Sequence, residues 1–321
     1  MNETIHYDII ILSWGVSLIC FDLQLMVTLK SKDLELKADR RSSYADGVAA
    51  KEAKLSSVKK VLMLGLVPDC QENYSNVRTL LQKIDLSGLD VSFSVDLKLA
   101  LYLVGKQSGG CKHPCIYCTG EDPWKEGKLL TLGDLNKLLQ DFIAAGEVTK
   151  DAMNHNNVVH ENLLQPPFSD STLLLDILNI PELHIFLGVI HKLLFYIVGC
   201  FGKMEDDKAK GHQFYDHFLK SINVTEKRAG RLEGNQCEKV LENTNKLMRM
   251  AKNLPSDIAV KVIPVVNVLD SFSVVKSSCF GERLNGDYCA AIDKFSSLYR
   301  ALPGISVPPK VHILEVCHTI N

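Results

Sequence analysis

An excess of positive charge is the first thing this sequence lacks. Lys and Arg number 36 against 38 Asp and Glu, for a formal net charge of −2. A protein that grips nucleic acid along its whole surface carries a basic excess, so any such contact here is local or supplied by other segments. No repeat of fixed period runs along the chain, which excludes a solenoid or propeller. No basic start with a small-residue cleavage site marks a secretory leader. The ten cysteines therefore read as reduced thiols of an intracellular protein, nuclear or cytoplasmic. Ile9 to Leu29 is apolar and long enough for a bilayer, but Asp22 interrupts it and no basic cluster precedes it. It reads as two buried strands around Asp22, or as a foreign segment, and no membrane partner is expected. Core material is plentiful: 46% of the 321 residues are hydrophobic, enough for two or three packed units.

Lys30 to Lys60 is polar and charged, a linker separating an N-terminal segment (1–57), unrelated or poorly specified, from the domains beyond it. Val61 to Val67 is a short apolar run closed by Pro68-Asp69, the pattern of a buried strand and a turn. Asn73 to Ile84 spaces Val77, Leu80, Leu81 and Ile84 as a helix does, with Asn73 or Ser75 as cap. Val91 to Val95 alternates as a strand, Asp96 ends it, and Leu97 to Val104 is helical. Strand, helix, strand, acid, helix is α/β organisation, and the two strands are expected side by side in one sheet, with Asp96 at its edge near solvent. After Gly109-Gly110 the chain turns helical: Leu132 to Ala145, Leu173 to Leu178, Leu183 to Val198, His212 to Ile222, Cys237 to Leu254, Ile258 to Phe272 and Tyr288 to Ala301. Asn154 to Pro167 reads as a loop, and Lys203 to Lys210 as an exposed charged stretch. The fold class is α/β, then mostly α.

Cys115-Ile116-Tyr117-Cys118 is the strongest local motif. A C-x-x-C turn brings two thiolates close enough to share a tetrahedral zinc, and two more ligands are needed. Cys111, His113, His155 and His160 are near in sequence; His184, His191, His312, Cys317 and His318 are distant. The plain alternative is two ordinary cysteines in a loop. Asp96, at the end of a buried strand, stands where metal-dependent phosphoryl transfer places a carboxylate. An Asp after a strand is more often a helix N-cap. Glu182-Leu183-His184 has an equally plain reading: Pro181 starts a helix and Glu182 suits its positive end. The basic run from Lys220 to Arg231 is a candidate phosphate contact, and more often such a run is a solvated face.

Taken in order, Val61 to Leu81, Val91 to Cys118, Leu174 to Ile197, Leu232 to Leu241 and Val311 to His318 resemble the core of the Transib transposases and the related catalytic subunit of the V(D)J recombinase. Asp96 matches the second acid of that family's Asp, Asp, Glu triad. Cys115 lies 19 positions further on (115 − 96), the family's spacing to its zinc C-x-x-C. Leu178 to His184 followed by Gly188, Gly234 to Leu241, and Lys310 to Leu314 resemble further family segments, the last being the helix that carries the zinc histidines. The resemblance implies a partial RNase H-like core over 58–110 and a zinc-binding, mainly helical insertion domain over 111–321. It implies metal-dependent DNA strand cleavage and transfer, with Asp96 as catalytic residue. Cys115, Cys118, His312 and either Cys317 or His318 are the implied ligands of a structural zinc. Magnesium or manganese serves the intact family, DNA is its partner, a homodimer is the assembly to test, and no small-molecule substrate is implied.

The departures from that pattern matter as much. No strand-borne Asp suited to be the family's first acid stands between Met1 and Lys60; Asp22 and Asp46 are the nearest candidates. The family's Glu is expected beyond the zinc histidines, and Asn321 comes first. The family's second histidine falls at Cys317, with His318 one step later. The chain thus reads as truncated at both ends: a transposase-derived recombination protein, catalytically incomplete. The alternative is a domesticated, zinc-stabilised DNA- or protein-binding module without enzymatic activity.

Overall fold

Short apolar clusters with good caps build the first helices of the chain, and a computed structural model shows where they stop. It describes residues 7–11, 25–29, 73–82, 91–107, 112–121, 127–164, 168–180, 182–226, 232–280 and 284–318; of 7–11, 25–29, 91 and 316–318 only the backbone is described. The expected strand Val61 to Val67 lies outside these residues, as do Asp22, Asp46, Cys111 and the end of the Lys220 to Arg231 run. The chain divides into two units, Met1–Pro181 and Glu182–Asn321.

The first unit holds a four-stranded sheet in the order β1-β2-β3-β4. Strands β1 (Tyr7–Ile11) and β2 (Leu25–Leu29) come from the apolar N-terminal run. They are followed by helix α1 (Tyr74–Leu81), strand β3 (Val91–Ser94) and helix α2 (Leu97–Leu103). Strand β2 lies antiparallel to both β1 and β3, and β3 pairs in parallel with a two-residue β4 (Leu178–Asn179). The partners observed for β3 are thus β2 and β4. Asn73 caps α1 through a bond from the Asn76 N–H, as its residue type suggested.

Helix α3 (Leu132–Ala144) opens with a reciprocal capping box between Thr131 and Asp134. A 3-10 turn over Thr149–His155 then ends on Asn156 and Asn157, both left-handed, a conformation that Asn tolerates better than most residues. The expected helix over Leu173 to Leu178 is one turn, α4 (Leu174–Ile177), leading straight into β4. Its apolar run is too short for periodicity to separate a buried helix from a buried strand.

Among the described residues the second unit is helical throughout: α5 (Glu182–Gly199), α6 (Glu205–Ser221), α7 (Gly234–Glu242), α8 (Thr244–Lys252), α9 (Ser256–Cys279), α10 (Tyr288–Arg300) and α11 (Pro309–His318). Most of the exposed charged stretch at Lys203 to Lys210 forms the first turns of α6. Glu205, Asp206 and Asp207 sit at the positive end of that helix. The expected helix from Cys237 to Leu254 breaks at Asn243, which ends α7 and opens α8. Phe186, Phe272, Phe280, Phe295 and Tyr299 form a connected aromatic cluster. Helices α5 and α9 are long and apolar enough to cross a membrane; each packs on neighbouring helices, α5 against α6, α9 and α11, and α9 against α8 and α10.

Coarsely, then, the molecule is a small sheet with helices followed by an all-helical unit. Gly105 shows how tightly the first unit is tied. Its φ is +70° and a Cβ there would meet the His160 carbonyl oxygen at 2.1 Å, while its own carbonyl accepts the N–H groups of Val159 and His160. Gly146 has φ +95° with open space around it. Gly105→Ala should therefore lower unfolding free energy by about 2 kcal/mol or more, and Gly146→Ala by about 1 kcal/mol, backbone strain being the whole cost in the second case. Urea titration of the two variants checks this, and equal losses would mean that the His160 backbone yields easily.

Candidate metal centre

The C-x-x-C segment folds as a buried turn at the mouth of a small hairpin. Cys115, Ile116, Tyr117 and Cys118 are all at most 2% exposed. Each sulfur accepts a backbone N–H from two residues ahead: Tyr117 to Cys115 Sγ at 3.3 Å and Gly120 to Cys118 Sγ at 3.3 Å. Donors aimed at sulfur favour its anionic form, the form that ligates metal. The chain then doubles back, with Leu130 donating to the Tyr117 carbonyl and Thr119 to that of Lys128. The Tyr117 hydroxyl donates to the Leu178 carbonyl at 2.9 Å, fastening the turn to β4. Lys106, only 2% exposed, donates its ammonium to the Cys115 carbonyl at 2.6 Å.

The surroundings of Cys115 favour its protonated form. Hydrogen bonding with Cys118 and then burial push the Cys115 thiol well above its ordinary value, against the opposing pull of the Tyr117 N–H and the Lys106 charge. Two buried sulfurs that cannot both be bare anions are the starting state that a divalent cation converts, displacing protons as it binds.

The other sequence candidates separate cleanly. His113 is buried, but its Nδ1 faces the carbonyl oxygens of Thr119 at 3.0 Å and Gly120 at 3.3 Å. That nitrogen is committed to the hairpin backbone. His155 packs edge-on against Phe142 and His160 stacks on Tyr74. In the second unit the Leu232 N–H donates to His191 Nε2 at 3.1 Å, a bond that ties α5 to the segment entering α7. His312 sits on α11, 8% exposed. Cys317 and His318 fall on the last turn of the same helix, and their side chains lie outside the described residues. Within the first unit, Cys115 and Cys118 are a candidate metal-binding pair, thiolate donors that suit zinc over harder cations.

Asp96 stands two residues past the end of β3, half-buried, and its Oδ1 accepts the Leu99 N–H at 2.7 Å as N-cap of α2. The cap accounts for an acid at this position and leaves its second oxygen uncommitted by that bond. Glu315, a further carboxylate of interest, lies on α11 and takes a two-pronged contact from Arg300. The signal that sequence reasoning missed was this ion pair: Arg300 and Glu315 lie on different helices, so no short-range spacing links them.

A family described as a domain of unknown function (DUF8703) matches residues 51–129. That stretch takes in α1, β3, Asp96, α2 and the Cys115–Cys118 turn. Among curated proteins none matches the chain.

If Asp96 serves the fold as a cap, Asp96→Ala should cost about 1 kcal/mol of stability and Asp96→Asn close to nothing, since Asn caps as well as Asp. Thermal or urea unfolding of both variants distinguishes them. A large loss in the Asn variant would show that the charge itself, and not the cap, is what the fold needs.

Proposed function

We propose that this chain is a transposase-derived, zinc-stabilised DNA-binding module that does not cut DNA by itself. Support for zinc comes from one observation above all: a C-x-x-C turn whose two buried sulfurs each accept a backbone N–H. His312, a buried imidazole on α11, is the proposed third ligand and Cys317 or His318 the proposed fourth, on the sequence resemblance alone. A zinc held there would supply charge and cross-links, not reaction chemistry, because four protein ligands leave no open position.

Support for a transposase origin is the ordered resemblance of the sequence segments, in which Asp96 precedes the C-x-x-C by the family's interval and an RNase H-like core precedes a helical insertion. Parallel pairing of β3 with β4, and an acid two residues after β3, are compatible with such a core. Support for inactivity is the chemistry of Asp96. Two-metal phosphoryl transfer needs several carboxylates around one pair of ions, and Mg²⁺ dehydrates reluctantly for a single ligand. The cap bond also engages one of its oxygens.

Metal analysis of the purified chain should give about one zinc per molecule, lost in Cys115→Ser and in His312→Ala. Affinity should rise with pH. The Cys115 thiol is pushed well above its ordinary value, and zinc must displace its proton, so acid competes for the site. A chain that folds equally well without metal, or binds zinc equally at pH 6 and pH 8, counts against this reading. Incubation with supercoiled and linear DNA plus Mg²⁺ or Mn²⁺ should give no strand cleavage, while labelled DNA competes for binding. Cleavage abolished by Asp96→Ala would overturn the inactive assignment; absence of DNA binding would leave the protein-binding module as the better account.

A further inference from the structure

Of the six cysteines whose side chains are described, four are buried and two, Cys279 and Cys289, are only half-buried. Those two flank one turn. Cys279 is the last residue of α9 and Cys289 the second of α10. We infer that they form a redox modification site, a thiol pair that a peroxide closes to a disulfide across the turn between α9 and α10. The pair lies wholly within the second unit and uses none of the proposed zinc ligands, so it stands or falls apart from that reading.

Packing sets the register of the two helices. Phe272 and Phe295 lie 5.1 Å apart between ring centroids, so residues later in α9 meet residues earlier in α10. Cys279 stands two turns after Phe272, on the same face of its helix. Cys289 stands one turn before Ile292, which is buried. At the turn itself the Asn285 N–H donates to the Ser278 carbonyl at 2.9 Å, and its side-chain amide donates to the Ser277 carbonyl at 2.7 Å. The Asn285 carbonyl in turn accepts the Tyr288 N–H at 3.0 Å. One residue thereby ties together the chain neighbours of both cysteines. The sulfurs also feel one another: burial first, then Cys289 and the Glu182 carboxylate, push the Cys279 thiol up to about 11.

A thiol held in its protonated form is a poor first target for an oxidant, so Cys289 is the sulfur that meets the peroxide. Its attack breaks the O–O bond and makes a sulfenic acid, and one water leaves. The Cys279 sulfur then attacks the oxidised sulfur, forming the S–S bond and releasing the hydroxyl as a second water. Together the two thiols lose two protons and two electrons, and the peroxide is reduced to two waters. A dithiol reductant reverses the bridge by exchange.

The test uses the full chain, treated with hydrogen peroxide, alkylated and cut with trypsin. Cleavage after Lys276, Arg283 and Lys294 puts the two cysteines in separate peptides. The bridge is therefore read by mass as a linked pair two hydrogens lighter than its parts, lost after dithiothreitol, from protein that runs as a monomer without reductant. The oxidised chain should unfold several degrees above the reduced one. Cys279→Ser and Cys289→Ser should each abolish the linked pair and that rise, and in Cys279→Ser a dimedone probe should label Cys289. Full alkylation of both cysteines after peroxide, oxidation to sulfinic acid without linkage, or links from either to another cysteine or another chain overturn the pairing. A linked pair that fails to raise the unfolding midpoint would mean that the turn must distort to form it, and overturns the fit argued from the helix register.

Discussion

Two sulfurs buried in a four-residue turn, each satisfied by a backbone N–H, constrain the first unit more than any other feature. A turn that presents Cys115 and Cys118 inward also drives Ile116 and Tyr117 into the core. Tyr117 cannot be buried with its hydroxyl unpaired, and the partner is the Leu178 carbonyl on β4. Strand β4 pairs with β3, and β3 delivers Asp96 to the start of α2. From α2 the chain returns through Gly105 to Lys106, whose ammonium holds the Cys115 carbonyl. The turn, the sheet and the helix close a circuit of contacts in which each element satisfies a polar group of the next. A buried lysine is costly when isolated; here its charge lies beside a cysteine pair that gains from it.

The second unit is built on a different constraint, the burial of two long apolar helices. Val189, Ile190, Leu193 and Leu194 of α5 and Val262, Val265, Val266 and Leu269 of α9 are all at most 3% exposed. At roughly 25 cal/mol per Å² of apolar surface such residues dominate folding free energy. Polar groups within these helices are accommodated case by case. His191 accepts from Leu232, and Asp270 on α9 accepts from Thr244 at the start of α8. Gly188 has a conformational role of another kind: a Cβ there would meet the Lys310 side chain at 2.3 Å. The glycine lets α11 lie against α5, and α11 is the helix that carries His312.

Much of this was legible in the sequence because the informative patterns are local. Asn73 as a cap, the ends of α2, α3 and α10, and the inward C-x-x-C all come from spacing within a turn or two. The breaks in legibility have the same cause turned round. Periodicity carried a single helix through Asn243, where the α7 to α8 boundary is set by tertiary contacts of Thr244 and Leu247. The first turns of α6 show in the sequence only as an exposed charged stretch, because a solvated helix start rich in Glu and Asp has little apolar periodicity. The neighbours of β3 were not readable either: a sheet is assembled from segments far apart in the chain, and β2 and β4 lie more than fifty residues away on either side. The bracing of Glu315 by Arg300 is invisible for the same reason.

The surroundings of the cysteine pair also bear differently on the two common uses of a C-x-x-C. A thiol–disulfide exchange site needs one accessible sulfur with a lowered pKa, commonly at the exposed N-terminus of a helix. Here both sulfurs are 1% exposed or less as residues, neither begins a helix, and hydrogen bonding with its partner and burial push the Cys115 thiol up, not down. Attack by an outside disulfide would find both sulfurs covered. Metal ligation reverses each of these objections. The cation stabilises both anions at once, burial shields the bonds from hydrolysis, and the two N–H donors become the outer support that such ligands require. The same side chains that make the pair inert as a redox couple suit it to hold zinc.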